Sequence, residues 1–227
     1  MNILKQFKEL TKFEICLYLF SLAVVTLSFI IFQSKDYLTL VASLVGVTAL
    51  IFVSKGYALG QLITIIFAIF YGIISFFFTY YGEMITYLCM TAPTALAALI
   101  SWIKNPYKDT NEVKVARLNA KTITLMVVLA IIITTAFYFI LGYLKNANLI
   151  VSTISVTTSF CASYLTVVRS PYYALLYALN DIVLIILWIL ASMENISYIP
   201  MVACFTMFLI NDLYGFINWQ RMKKEQK

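Results

Sequence analysis

Apolar stretches recur along nearly all 227 residues of this chain, divided by short clusters of polar and charged residues. A helix that crosses a bilayer needs about 20 predominantly apolar residues. Eight blocks meet or approach that length: Phe13–Phe32, Tyr37–Val53, Tyr57–Tyr80, Met84–Ile103, Ile123–Leu144, Leu149–Val168, Tyr172–Ala191 and Ile196–Trp219. The second is short, and its boundary with the third is the least defined. Most connections between blocks are a few residues long, which leaves no soluble domain of any size. Phe13–Phe32 is long for the core of a signal peptide and no clear small-residue cleavage site follows it, so a first spanning helix is expected rather than a cleaved leader. The expected fold class is an all-α membrane protein with eight transmembrane helices.

Charge placement tests that count. With a cytoplasmic N-terminus, fourteen of the 16 basic residues fall in inner segments: Lys5, Lys8, Lys12, Lys55, Lys104, Lys108, Lys114, Arg117, Lys121, Arg169, Arg221, Lys223, Lys224 and Lys227. Only Lys35 and Lys145 fall outside. This is the asymmetry that orients membrane proteins, and omitting one helix would scramble it. Both termini are therefore expected in the cytoplasm, with the chain multi-pass in the membrane. The net charge of +6 then calls for no nucleic-acid partner, because the basic residues stand where anionic lipid headgroups lie.

Cys16, Cys89, Cys161 and Cys204 all fall inside expected spans without paired spacing, and read as small packing residues rather than disulfides or ligands. The chain has no histidine, which removes the commonest metal ligand and the commonest general base. No metal or other cofactor is expected. Nor is an enzyme: the two acids within spans lie on different helices, and no Gly-rich loop ending in Lys-Ser/Thr indicates ATP hydrolysis.

The one sizeable loop, 104–121, divides a single transmembrane domain (1–227) into halves of about 1–103 and 122–220. Tyr57-Ala58-Leu59 recurs as Tyr173-Ala174-Leu175, and Ser43 falls opposite Ser159, both at an offset of 116. Ala98-x-x-x-Trp102-x-Lys104 recurs as Gly215-x-x-x-Trp219-x-Arg221 at an offset of 117. The near-constant offset points to a duplicated unit, as in many transporters. Trp102 and Trp219, each followed by a basic residue, read as anchors at the cytoplasmic surface.

Polar side chains inside spans mark the candidate chemistry. Asp181 and Asp212 each follow an asparagine in the middle of a long apolar run, where a charge costs at least ~2.5 kcal/mol on insertion scales. On the seventh span Tyr173, Tyr177, Asn180, Asp181 and Trp188 share one broad face. Gln61 lies on the third span and Asn211 on the eighth. Aromatic faces, carboxamides and a carboxylate suit a flat small molecule, neutral or cationic. Tyr177 and Trp188 are the expected stacking rings, and Gln61, Asn180 and Asn211 the expected hydrogen-bonding groups. Tyr173 completes that lining, while Asp181 orients neighbours or balances charge. Asp212, nearer the inner boundary, has Arg221 or water as an alternative partner. Tyr81-Gly82-Glu83 reads as an outer turn, with Glu83 either solvated or shaping a vestibule.

The stretches Tyr71-Gly72-Ile73-Ile74-Ser75 and Tyr80-Tyr81-Gly82-Glu83-Met84, the ending Tyr214-Gly215-Phe216-Ile217-Asn218-Trp219 and the acid Asp181 resemble the PnuC family of bacterial vitamin transporters, best known for nicotinamide riboside uptake. Size, span number and the two-half layout agree over nearly the whole chain. The resemblance implies two parallel three-helix repeats joined by a linking helix, as in SWEET sugar transporters, with an extra N-terminal helix. It also implies facilitated diffusion of an unphosphorylated vitamin or nucleoside, trapped by a separate cytoplasmic kinase. The family commonly carries two tryptophans three apart in the penultimate span, where this chain shows Ala174 and Tyr177. A thiamine, riboflavin or deoxynucleoside substrate is therefore an equal fit. Three alternatives stay open at this point: proton- or sodium-coupled transport using Asp181 or Asp212, an intramembrane enzyme, and a subunit without transport activity. So does assembly into a homo-oligomer.

Overall fold

Inside a bilayer no water is available to the backbone, so an apolar chain must satisfy its own N–H and C=O groups, and helices do so within one segment. The computed structural model describes residues 3–34, 36–77, 81–146 and 148–226. Among the described residues its regular elements are all helical, and the loop at 104–119 adds two isolated bridges, Tyr57 to Glu112 and Pro106 to Val113. In chain order the helices are α1 Ile3–Lys8, α2 Lys12–Ile31, α3 Tyr37–Ser54, α4 Ala58–Phe77, α5 Tyr81–Ile85, α6 Ala92–Ile103, α7 Ala120–Tyr143, α8 Leu149–Val167, α9 Tyr172–Glu194 and α10 Ile199–Glu225. Among the described residues seven helices are long and apolar enough to cross a membrane, and the apolar stretch of α4, Ala58–Ile73, is shorter.

Local sequence explains the ends. Thr11 and Glu14 form a reciprocal capping box at the start of α2, Asp36 caps α3 through the Thr39 N–H (3.0 Å), and Asn119 caps α7 through the Thr122 N–H (2.8 Å). The expected fourth span is not one regular helix. Thr86–Thr91 is a π-helical segment between α5 and α6, closed by the Ala92 N–H bonding to the Tyr87 carbonyl, just before Pro93. Proline has no N–H to continue the α-helical ladder, and the wider turn absorbs the mismatch. The expected outer turn at Tyr81-Gly82-Glu83 is likewise helical, within α5, while Tyr80 lies outside the described residues.

Helix packing closes a ring. α3 packs on α4, α4 on α6, α6 on α8, α8 on α9, α9 on α10, and α10 back on α3. α2 lies outside this ring against α3 and α10, and α7 lies outside against α8. Large apolar side chains such as Ile131, Ile132 and Phe139 on α7 are exposed, as a lipid-facing helix requires. Close crossing of α3 and α4 depends on Gly60, where a Cβ would stand 2.5 Å from the Val53 backbone nitrogen.

At the end of the molecule that carries both termini, the two tryptophans are not surface anchors. Trp102 and Trp219 are 2% and 0% exposed and lie with ring centroids 5.2 Å apart. Each closes the C-terminal end of a helix from the other half of the chain. Trp219 Nε1 donates to the Val53 carbonyl at the end of α3 (3.0 Å), and Trp102 Nε1 to the Thr166 carbonyl at the end of α8 (2.9 Å). Each carbonyl also accepts the backbone N–H of the residue three further on, Gly56 (2.9 Å) and Arg169 (3.1 Å), so the indole is an added donor at a helix end. Both helices then turn out through a left-handed residue, Gly56 (φ 70°) and Arg169 (φ 59°). The flanking bonds match: Tyr57 N to Phe52 O (3.0 Å) and Ser170 N to Leu165 O (2.9 Å). Loop 104–119 seals the same end. Val113 is buried there, Gln226 bonds to the Val115 N–H (2.7 Å), and Tyr57 donates to Glu9 (2.9 Å), which burial and that carboxylate hold in its neutral form by raising the phenol well above its ordinary range. Asn111 donates to the same Glu9 oxygen (2.8 Å).

Replacing Trp219 by Phe removes the donor to Val53 and is expected to lower the unfolding free energy by about 1–3 kcal/mol, read as a lower melting temperature of the purified protein in detergent. Gly60→Ala, which meets backbone rather than a flexible side chain, should cost more than the typical ~1 kcal/mol of a point mutation in the same assay.

Candidate functional site

The ring of six helices encloses a cavity. Gly46, Ala49, Leu50 and Val53 of α3 line it, with Gln61, Thr64 and Phe67 of α4, Tyr87 and Thr91 of the π-helical segment, and Ser159 and Thr166 of α8. Tyr177, Asn180, Asp181 and Leu184 of α9 and Phe205, Phe208 and Asp212 of α10 complete the wall. It encloses ≈ 730 Å³ of atom-free space, part of it open to solvent. A second cavity of ≈ 590 Å³ abuts it on the side away from the tryptophan pair, lined in part by Gly82, Glu83, Asn146 and Ser152. The two share Tyr87, Thr91, Ser159, Asn180, Leu184 and Phe205, so these residues form the partition between them.

Four of the seven residues expected from the sequence meet in the central cavity: Gln61, Tyr177, Asn180 and Asp181. Ser163 holds the Tyr177 hydroxyl (2.9 Å) and fixes the ring. Asn180 Oδ1 accepts from Ser155 (3.0 Å) and Thr158 (2.9 Å), so its amide N–H groups are the ones directed elsewhere. Asp181 is 4% exposed. The other three lie outside the wall. Tyr173 donates to the Val53 carbonyl (3.2 Å) and packs edge-on against Trp219, beneath the cavity. Trp188 packs against Tyr198 (5.7 Å) in an apolar cluster with Met201 and Phe205, away from the wall of the central cavity. Asn211 is committed to structure: its amide donates to Ser21 (2.9 Å) and to the Met207 carbonyl (2.7 Å), tying α10 to α2. The helical period placed Tyr173 and Trp188 on a common broad face with Tyr177, but a helix inside a ring buries flanks as well as a face.

Asp212 departs from the expectation of an inner-boundary acid. It is 4% exposed and on the cavity wall, and Arg221 pairs instead with Glu225 (2.7 Å). It shares the wall of the central cavity with Asp181, on the neighbouring helix. Glu83 is not simply solvated either: it lines the second cavity beside Tyr71, and its Oε2 is buried without a hydrogen-bond donor. The residues that sequence reasoning missed include Tyr87 and Thr91, whose inward direction comes from the π-helical segment that a 3.6-residue period does not describe. With Phe67, Tyr71 and Phe208, Tyr87 forms a continuous aromatic cluster (Tyr71 to Tyr87 4.5 Å, Phe67 to Tyr87 5.8 Å, Phe67 to Phe208 6.1 Å). Pro93, inside an apolar block, marked a break in the helix there but not its π-helical form.

The site thus offers aromatic faces for a ring, hydroxyl and amide groups for a polyhydroxylated or amide-bearing ligand, and two carboxyls facing it with no basic residue on the wall. Comparison with known proteins agrees with that chemistry. A family model described as nicotinamide mononucleotide transporter matches residues 36–221. A nicotinamide riboside transporter PnuC of Neisseria mucosa is 28% identical over 219 residues, covering 94% of this chain and 83% of that protein. The PnuC nicotinamide riboside transporter of Haemophilus influenzae is 24% identical over 195 residues, covering 85% and 83%. The crystal structure of the vitamin B3 transporter PnuC superposes with a TM-score of 0.81 at 27% identity, covering 96% of this chain and 94% of that one.

Because Asn211 ties two helices rather than lining the cavity, Asn211→Ala is expected to destabilise the protein by about 1–2 kcal/mol. The matching measurement is the melting temperature without ligand, which should fall.

Proposed function

Since the chain belongs to the nicotinamide mononucleotide transporter family, whose named relatives are transporters rather than enzymes, we propose that it imports nicotinamide riboside, or a closely related unphosphorylated vitamin, by facilitated diffusion. The observation that carries this is the cavity closed by six helices, with Tyr177 and Phe208 as ring faces, Gln61 and Asn180 as amide and hydroxyl partners, and the Asp181–Asp212 carboxyls opposite a positive charge. Nicotinamide riboside presents all three: a flat pyridinium ring, a ribose and a carboxamide. Substrate enters through the cavity at Glu83, passes the partition at Asn180 and Ser159, and leaves past the tryptophan pair, which closes the way in this structure. Phosphorylation by a cytoplasmic kinase then prevents its return.

Two three-helix units, α3–α4–α6 and α8–α9–α10, joined by α7 and preceded by α2, account for the layout. The crosswise tryptophan bonds and the matched helix endings at Gly56 and Arg169 support that duplication. The basic residues gathered near the termini and at loop 104–119 support a cytoplasmic location for that end, in a bacterial inner membrane. Halves of about 1–103 and 122–220 then make one transmembrane domain.

A thermal-shift assay on the purified protein with nicotinamide riboside, thiamine, riboflavin and a set of nucleosides tests the substrate. Nicotinamide riboside is expected to raise the melting temperature, and Tyr177→Ala to abolish the shift. A shift with thiamine or a nucleoside alone would reassign the cargo. Passage is tested separately: Ser159→Trp fills the partition and should cut uptake of labelled nicotinamide riboside by about tenfold or more, with protein in the membrane unchanged. Wild-type uptake by Ser159→Trp would refute the proposed path.

A further inference from the structure

The cavity on the side away from the tryptophan pair has a chemistry of its own. Glu83 of α5 lines it, and Glu83 Oε2 is buried without a hydrogen-bond donor among the described residues. The polar side chains around it are spent on one another. Thr86 donates to the Gly82 carbonyl (2.9 Å), Asn146 to the Ser152 hydroxyl (2.8 Å) and Ser155 to Asn180 Oδ1 (3.0 Å), and none of these bonds ends on Glu83. No lysine or arginine is among the described residues of that wall. Its aromatic part is Tyr71 and Tyr87, with ring centroids 4.5 Å apart. Asn180, Ser159 and Tyr87 belong to both cavities, whereas Glu83 faces the outer one alone and Asp181 the central one alone. An acid therefore stands on either side of the partition.

A buried acceptor without a donor is costly unless something completes it. A carboxyl beside aromatic faces is completed best by a cation that also carries hydrogen-bond donors. We propose that Glu83 forms a separate outer subsite, which captures a pyridinium nucleoside before it crosses the partition into the central cavity. This rests on the reading of the chain as an importer of such a substrate. Glu83 Oε2 accepts from a ribose hydroxyl or the carboxamide of the captured molecule and faces its ring cation, with Tyr71 and Tyr87 against the ring. Capture and passage are then distinct steps. The outer subsite sets how much substrate waits at the partition when little is outside, and the central cavity with the tryptophan end sets the maximal rate. Occupancy of the subsite adds no driving force, so transport stays facilitated diffusion.

Carboxyl labelling of the wild-type protein with a water-soluble carbodiimide and an amine tests the subsite, read by mass spectrometry of the peptide that holds Glu83. Glu83 is expected to react, and nicotinamide riboside to slow that reaction by about tenfold when the subsite is nearly filled. The uncharged dihydronicotinamide riboside should protect far less. Protection by nicotinamide riboside should persist in Tyr177→Ala, whose central site is disabled. A Glu83 that never reacts overturns the subsite, because water and substrate then do not reach it. Protection that vanishes with Tyr177→Ala also overturns it, since Glu83 would then only report occupancy of the central cavity. Equal protection by both ligands refutes recognition of the cation. Protection in a protein that nicotinamide riboside neither stabilises nor enters would sink the substrate reading and leave the subsite standing; normal uptake without protection would do the reverse. Uptake kinetics give a second reading. Glu83→Gln should raise the KM for nicotinamide riboside by about tenfold, keep the maximal rate within about twofold and leave the KM for the dihydro form unchanged. An equal loss for both substrates would make Glu83 a structural residue and refute the proposal.

Discussion

A helix that ends within a dry bundle leaves carbonyls that no water can reach, and the rest of this fold depends on how two such ends are closed. Val53 at the end of α3 and Thr166 at the end of α8 each accept from an indole N–H that belongs to the other half of the chain. The donors, Trp219 and Trp102, can reach across only because they lie against one another, fully enclosed. Closing the carbonyls therefore also closes the end of the ring and joins the halves. Tyr173 adds a third donor to Val53 beside Trp219 and the Gly56 N–H, and Asn218 bonds to the Ser54 carbonyl (2.9 Å), so α9 and α10 converge on the same helix end. The cavity above exists because its floor is satisfied by side chains instead of being filled by them.

Hydrogen bonding also distributes the buried polar groups between helix joints and the cavity wall. Asn211 spends its amide on Ser21 and Met207, and Tyr173 spends its hydroxyl on Val53, whereas Asp181 keeps an oxygen without a donor and Asn180 accepts from α8 while its amide stays on the wall of both cavities. In a low-dielectric interior an unpaired polar atom is costly, and such atoms are retained where a ligand, proton or water completes them. Asn211 also keeps a buried oxygen without a donor, Oδ1, away from the cavity, so the four wall residues are set apart by their position on it rather than by unpaired atoms alone.

Much of this was readable in advance. Block length located the ends of α2, α3, α8 and α9 to within a few residues, because each end is set by a capping residue or a charged cluster that ends the apolar run. The acids were legible for the opposite reason: a carboxylate is so unfavourable at membrane depth that Asp181 and Asp212 stood out against their surroundings. The resemblance in Tyr214–Trp219 and in Tyr81–Met84 led to the family. The π-helical segment at Thr86–Thr91 was not legible, since its wider turn is a compromise between Pro93 and the packing of α6.

What the sequence determined by itself is therefore the solvent of the protein, the approximate number of its spans and the few polar residues with no business in lipid, because those follow from transfer free energies that act residue by residue. Tertiary structure alone decided which of those residues meet. Asp212 turned from a boundary acid into a wall residue of the cavity that Asp181 lines, Trp188 from a stacking ring into packing, and Trp102 and Trp219 from surface anchors into a buried pair. Each of these depends on the rotation of one helix against its neighbours in a closed ring, and a helix that is apolar on every side carries no stripe from which that rotation can be read.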